Sequence, residues 1–317
     1  MRAVKFLFLA VMLLVGCTPR PSDVLVADLD ASTPDSGLEA PDAGPTCGCE
    51  LWGNARNDGT IEAPLVELSG LVASRSQPGV FFAHNDSGDT ARFFAISIAG
   101  QVLQTFELGN ATAVDWEDIA LGPCGTGTCL YLGDIGDNGF VRTDYAVYQV
   151  TEPHVTSGTA TVGWERYPFE YPAGAKHNAE SMFMNAQTGR LYVVTKNPSA
   201  VSEVYRFPLP MDSTRTATLE KVATLTIPGT TDQPLTAADV NVCGTGVLMR
   251  MYNRLVEYRL PPGETNFERI FSVDPVTVPF ANEPQGEAVA YGPDGRTYFT
   301  SSEKLVDAPP LYEFRCR

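Results

Sequence analysis

The chain has 317 residues, 44% of them apolar, and carries 38 acidic against 22 basic side chains, a formal charge of −16. This balance excludes nucleic-acid recognition, which needs basic side chains to meet phosphates. The apolar content supports a sizeable core, and the length beyond residue 46 suits one large domain.

Arg2 and Lys5 open the chain, Phe6 through Val15 form an apolar run, and the small residue Gly16 precedes Cys17. A positive start and an apolar run too short to span a bilayer are the layout of an export signal, expected over residues 1–16. Leu14-Val15-Gly16-Cys17 resembles the bacterial lipobox. The resemblance implies cleavage before Cys17 and acylation of its thiol and new amino group. Several acyl chains anchor a protein stably where one is marginal. Thr18, rather than Asp, follows the cysteine; by the enterobacterial sorting pattern this implies the outer membrane. Residues 17–46 are rich in Pro, Asp, Ser, Ala and Gly and hold no aromatic residue, so they are expected to form a disordered acidic tether. The domain is expected over 47–317.

Cys47, Cys49, Cys124, Cys129, Cys243 and Cys316 remain. An even set in an exported chain points to disulfides. Cys124 and Cys129 flank a turn sequence, Gly125-Thr126-Gly127-Thr128, and are expected to pair. Cys47 and Cys49 are too close to bond each other easily, so they are expected to pair with Cys243 and Cys316. A bond from Cys316 to either would tie the domain's two ends together.

Within the domain, short β-rich runs alternate with Gly, Pro, Asn and Asp turns. Five segments look alike: Leu68-Ser69-Gly70-Leu71-Val72-Ala73, Trp116-Glu117-Asp118-Ile119-Ala120-Leu121, Ala179-Glu180-Ser181-Met182-Phe183-Met184, Ala237-Ala238-Asp239-Val240-Asn241-Val242 and Gly286-Glu287-Ala288-Val289-Ala290-Tyr291. Each leads into two further apolar runs, and the first four repeats add a fourth. A period of about fifty residues with four short strands per unit predicts an all-β propeller of five four-stranded blades. The fifth unit ends one strand short at Arg317, and the segment between Cys49 and Leu65 is expected to supply that strand and close the ring. Six blades is the alternative, if the insert between Thr151 and Pro172 hides extra strands. A β-sandwich leaves the repeat unexplained.

In such a wheel, residues before each first strand and after each second strand gather at one mouth of the central channel. The first set contains Glu67, Ser69, Asp115, Glu117, Asp118, His177, Asn178, Glu180, Asp239, Gln285 and Glu287. The second contains His84-Asn85-Asp86, Asp134, Asp137-Asn138, Lys196-Asn197, Arg250, Asn253 and Glu303-Lys304. Crowded carboxylates repel unless a hard cation or basic side chains offset them. Glu117, Asp118, Glu180, Asp239 and Glu287 are therefore the candidate metal ligands. Asn85, Asp86, Asp134, Lys196, Arg250 and Glu303 are the candidate ligand-binding groups. His84, Asp118 and Glu180 are the candidate proton-transfer groups. Asn85-Asp86-Ser87-Gly88 and Gly136-Asp137-Asn138-Gly139 are also ordinary turn chemistry.

Several of these stretches together, Ser69-Gly70-Leu71, His84-Asn85-Asp86-Ser87-Gly88, Asp115-Trp116-Glu117-Asp118, Gly133-Asp134-Ile135-Gly136-Asp137-Asn138, His177-Asn178-Ala179-Glu180, Ala237-Ala238-Asp239 and Gln285-Gly286-Glu287, resemble exported bacterial propeller proteins. They are similar to phytase-like and esterase-like propellers and to calcium-dependent lactonase and phosphotriesterase propellers. The resemblance implies a Ca²⁺ ion on the axis, with Asn85, Asp118, Glu180, Asp239 and Glu287 in places comparable to its ligands. Two functions follow. One is a tethered propeller that binds a small molecule, glycan or protein. The other is a Ca²⁺-dependent hydrolase of phosphate or carboxylic esters. Gly-x-Ser-x-Gly is absent from the sequence, so no nucleophile elbow supports a serine hydrolase.

Overall fold

A computed structural model describes residues 47–197, 201–227, 234–304 and 307–317. The export signal over 1–16, Cys17 and the arm to residue 46 lie outside the described residues. The described chain forms a five-bladed β-propeller.

Blade 1 contains Leu68–Ala73, Val80–Asn85, Arg92–Ser97 and Val102–Glu107, ordered from axis to rim. Blade 2 contains Trp116–Cys124, Gly127–Asp134, Ala146–Thr151 and Glu165–Glu170. Blade 3 contains Ala179–Asn185, Arg190–Thr195, Val201–Arg206 and Glu220–Thr226. Blade 4 contains Leu235–Val240, Gly246–Met251, Arg254–Arg259 and the short Val276–Thr277. Blade 5 contains Gly286–Tyr291, Thr297–Ser302, Pro310–Arg315 and, on its outer edge, Arg56–Thr60 from the domain's N-terminal end. Successive strands are antiparallel, as hairpin connections of a few residues require.

The inner strands run almost wholly buried because each packs on the inner strands of both neighbours. The core is correspondingly divided into five apolar clusters, one in each gap between adjacent blades. Each sheet buries both faces, so its middle strands are continuously apolar instead of alternating. The wheel closes where Arg56–Thr60 pairs with Pro310–Arg315, and Cys49–Cys316 locks this seam. Cys124–Cys129 pairs as expected from its turn, and Cys47–Cys243 resolves the pairing that the sequence left open among Cys47, Cys49, Cys243 and Cys316.

Two expectations change. The insert between Thr151 and Pro172 builds no sixth blade. Its Gly158–Thr161 runs parallel to Val102–Glu107 and widens blade 1 to five strands; Ala217–Thr218 does the same for blade 2. These additions cover exposed sheet edges. In blade 4, the run from Phe267 to Val278 is mostly not a strand. Phe267–Ser272 is a 3₁₀ helix that buries Phe267, Ile270 and Phe271 against blades 3 and 4. Those three residues fall at helical spacing, which a strand reading overlooks.

Candidate functional site

Every inner strand carries an irregularity at its first turn of pairing. Between Trp116 and Asp118, Ala179 and Ser181, Leu235 and Ala237, and Gly286 and Ala288, one residue has no opposite number on the second strand. In blade 1 the shift spans Leu68 to Leu71. Such bulges re-aim a side chain that regular pairing would send into the sheet. The residues at this position are Ser69, Glu117, Glu180, Thr236 and Glu287. The hydroxyls stitch blades together: Ser69 Oγ donates to the Glu117 carbonyl at 2.5 Å, and Thr236 Oγ1 to the Gly286 carbonyl at 2.8 Å. The three glutamates turn toward one another at the channel mouth, where Glu117 and Glu180 influence each other electrostatically, as do Glu180 and Glu287.

The loops after the second strands complete this mouth. Asp86, Ile135, Lys196 and Glu303 return backbone hydrogen bonds to Glu67, Asp115, Asn178 and Gln285, at 2.8–3.1 Å. Glu67, Asp86, Asp115, Glu117, Glu180, Glu287 and Glu303 thus share one face with Lys196. Lys196 forms an ion pair with Glu180 and donates to the Tyr252 hydroxyl at 3.0 Å. Gln285 Nε2 bridges Glu287 and Glu303, at 3.1 and 2.7 Å.

Crowding and burial hold these carboxyls above their ordinary range. Burial, then Asp86, pushes Asp115 up to about 6. Burial raises Glu180 to about 7 against the opposing pull of Lys196. Burial, then Asp86 and Glu67, raises Glu303 to about 7. Burial and Glu180 raise Glu287 to about 9. Glu117 is raised by burial and then by Glu180, Asp86 and Asp115.

The tightest convergence is Asp86, Asp115 and Glu117, which place one carboxylate oxygen each within 4.8 Å of one another. Gly136 makes this approach possible. A Cβ there would lie 2.2 Å from Glu117 Oε1 and 2.4 Å from Asp115 Oδ2. Glu117 is only 3% exposed, yet no group among the described residues donates to its carboxylate. An all-oxygen set whose Glu117 carboxylate has no donor among the described residues fits a hard cation.

Asp118 sits one residue deeper and closes the floor. Its Oδ2 accepts from the amides of Met182 in blade 3 and Ala238 in blade 4, at 2.7 and 3.2 Å, and its Oδ1 from Ile119 at 2.8 Å. The equivalent positions in the other blades, Gly70, Ser181, Ala237 and Ala288, are small. Asp118 therefore spans the axis beneath the mouth and ties blades 2, 3 and 4 together.

Of the candidate metal ligands, Glu117, Glu180 and Glu287 meet at the cup, whereas Asp118 and Asp239 do not. Asp118 is an axial tie between blades. Asp239 accepts from the Tyr291 and Val240 amides, at 2.7 and 2.8 Å, and faces Arg75 near the opposite end of the channel. The strand of blade 4 begins at Leu235, so the sequence alignment had slipped by two residues and set Asp239 too high. Arg250 suffered the same slip. It is fully buried in an ion pair with Glu283, and Tyr252 holds the rim position instead.

Among the candidate ligand-binding groups, Asp86, Lys196 and Glu303 reach the cup. Asn85 accepts from the Glu67 amide and donates to Pro64 and Asp89, and Asp134 accepts from Val114 and Asp115 and pairs with Arg142; both brace loops. His84 is 0% exposed, packed edge-on against Trp116 and over Gly70, and burial lowers its pKa. It lies in the wall between blades 1 and 2, away from the solvent side of the cup. Of the proposed proton-transfer groups only Glu180 belongs to the cup. Tyr252 went unrecognised in sequence, although it directly follows Gly246–Met251, and Gly136 was read only as part of a turn and not as the space that lets the carboxylates meet.

Two clefts, of about 430 Å³ between blades 5 and 1 and about 650 Å³ beside the Cys124–Cys129 hairpin, open on the opposite face. No protein-family model matches the chain, and no curated protein matches it in sequence.

Proposed function

We propose that this chain is an exported, acyl-anchored propeller, held at the outer membrane through Cys17, that binds a ligand or partner by capturing a positive charge in its axial cup. The observation that carries this reading is the convergence of Glu117, 3% exposed and with no donor to its carboxylate among the described residues, with Asp86 and Asp115 around Gly136. Burying like charges together is costly, and a bound cation offsets that cost. Lys196 forms its ion pair with Glu180 and only partly offsets the crowding at Asp86 and Glu117, which burial and neighbouring carboxylates still raise. The anchor rests on the lipobox-like sequence, and a Cys17→Ser chain recovered in the membrane fraction would remove it.

A second reading, a Ca²⁺-dependent hydrolase of phosphate or carboxylic esters, is favoured by the three-oxygen convergence. Asp86, Asp115 and Glu117 would hold the ion, which would supply Lewis acidity toward the scissile group. Lys196 would orient an anionic oxygen, and Glu303, titrating near 7, would move a proton.

Thermal unfolding with and without millimolar Ca²⁺, Mg²⁺ or chelator tests both readings. A ligand bound only by the native state at one hundred times its Kd stabilises by about 2.7 kcal/mol. The expected result is a rise in Tm with a divalent ion that Glu117→Gln and Gly136→Ala abolish. A flat response removes the metal and with it the hydrolase. If ions bind but an ester and phosphoester panel is not turned over, the binding reading alone remains.

A further inference from the structure

We propose that the positive charge taken up by the cup is the side-chain ammonium of a lysine on a protein partner, and that an apolar side chain next to that lysine packs on Val114, Phe140 and Val141. This deepens the cation-capture reading and rests on it.

The cup matches an ammonium in number and distance. A primary ammonium has three donors, and Asp86, Asp115 and Glu117 offer one oxygen each. Oxygens no more than 4.8 Å apart leave a nitrogen between them within about 2.8 Å of each, inside the reach of a charge-assisted hydrogen bond. The same cup already holds an ammonium in this manner, since Lys196 is bound by Glu180 and the Tyr252 hydroxyl.

The rim beside those carboxylates exposes apolar side chains on a hydrogen-bonded loop. Val114 precedes Asp115 and is 46% exposed; Phe140 and Val141, in the loop that starts at Gly136, are 55% and 75% exposed. Phe140 has φ +54°, a left-handed conformation that a residue with a Cβ seldom adopts. Asp137 holds it there by accepting from the Val141 and Arg142 amides, at 2.9 and 3.0 Å, and from the Tyr145 hydroxyl at 2.6 Å. Arg142 closes the loop by donating to the Gly136 carbonyl at 2.7 Å. A strained, pinned loop that presents an aromatic side chain to solvent beside a charged cup is a preorganised contact surface.

The test uses the mature chain and fluorescent peptides with capped ends, read by anisotropy. The probe carries Lys-Phe in a Gly/Ser frame. Its controls replace Lys by acetyl-lysine, replace Phe by Ser, or leave the α-amine free with no lysine. The Lys-Phe probe is expected to bind, acetylation to abolish binding, and the Ser control to bind about tenfold more weakly. Phe140→Ser with Val141→Ser, both exposed positions, should bind probe and Ser control alike. Lysine-dependent binding indifferent to that variant overturns the apolar contact and leaves cation capture standing. Binding only through a free α-amine overturns the lysine assignment. If no amine binds while Ca²⁺ still raises Tm, the partner class is wrong and the cup remains a metal site. If neither binds, both proposals fall together.

Discussion

Glu117 and Asp118 are neighbours in sequence and opposites in chemistry. Asp118 is buried with three amide donors from inner-strand residues, which oppose but do not outweigh the burial that raises its pKa. Glu117 has no donor among the described residues, and Glu180, Asp86 and Asp115 add repulsion to its burial. A carboxyl raised above its unfolded value costs stability progressively as pH climbs from the unfolded pKa toward the folded one. Glu117→Gln removes that penalty while keeping the shape. The variant should therefore match the parent near pH 4 and exceed it at pH 8 by about 1 kcal/mol in chemical denaturation, while losing its response to cations. A destabilised variant at pH 8 would mean that Glu117 has a donor and serves as a structural tie.

At the scale of strands, the bulge at each inner-strand start converts a repeat into a site. It lifts one residue per blade out of the sheet, and three of the five are glutamates. The seam is the other consequential element. Cys49–Cys316 joins residues 267 apart and fastens the strand that closes the ring, whereas Cys124–Cys129 joins residues 5 apart within one hairpin. Because cross-links stabilise mainly by restricting the unfolded chain, Cys49→Ser with Cys316→Ser should lose about 2–5 kcal/mol and unprotect the Arg56–Thr60 edge first in hydrogen exchange. Cys124→Ser with Cys129→Ser should lose clearly less. Equal losses would contradict a seam-locking role. The strands themselves were legible in the sequence, since apolar runs and turn residues recur at a steady spacing. The blade 4 register was not: Ala238-Asp239-Val240 imitates Glu117-Asp118-Ile119, and the true start at Leu235-Thr236 carries no charge to mark it. Bulges are equally silent, because one extra residue leaves an apolar pattern almost unchanged.

The molecule as a whole separates its chemistry by face. The carboxylates open on one side of the wheel. The Cys47–Cys243, Cys49–Cys316 and Cys124–Cys129 bonds, and the point where the chain enters the domain, lie at the other. The Glu–Asp crowding also sets the sign of the protein's pH response. With Asp115 near 6, Glu180 and Glu303 near 7 and Glu287 near 9, the native cup binds more protons than the unfolded chain between about pH 4 and 9. Its contribution to stability therefore falls as pH rises through that window, and a bound cation reverses the trend by favouring the ionised forms. The most direct measurement is an NMR titration of the glutamate side-chain carboxyl carbons in the protein, with Glu180→Gln, Glu287→Gln and Glu303→Gln to assign them. Midpoints near 7 for Glu180 and Glu303 and near 9 for Glu287, all falling when a cation is added, are the predicted result. Glutamates that all titrate between pH 4 and 5, with no response to any cation, would contradict the gathering of these side chains into one charge-capturing cup.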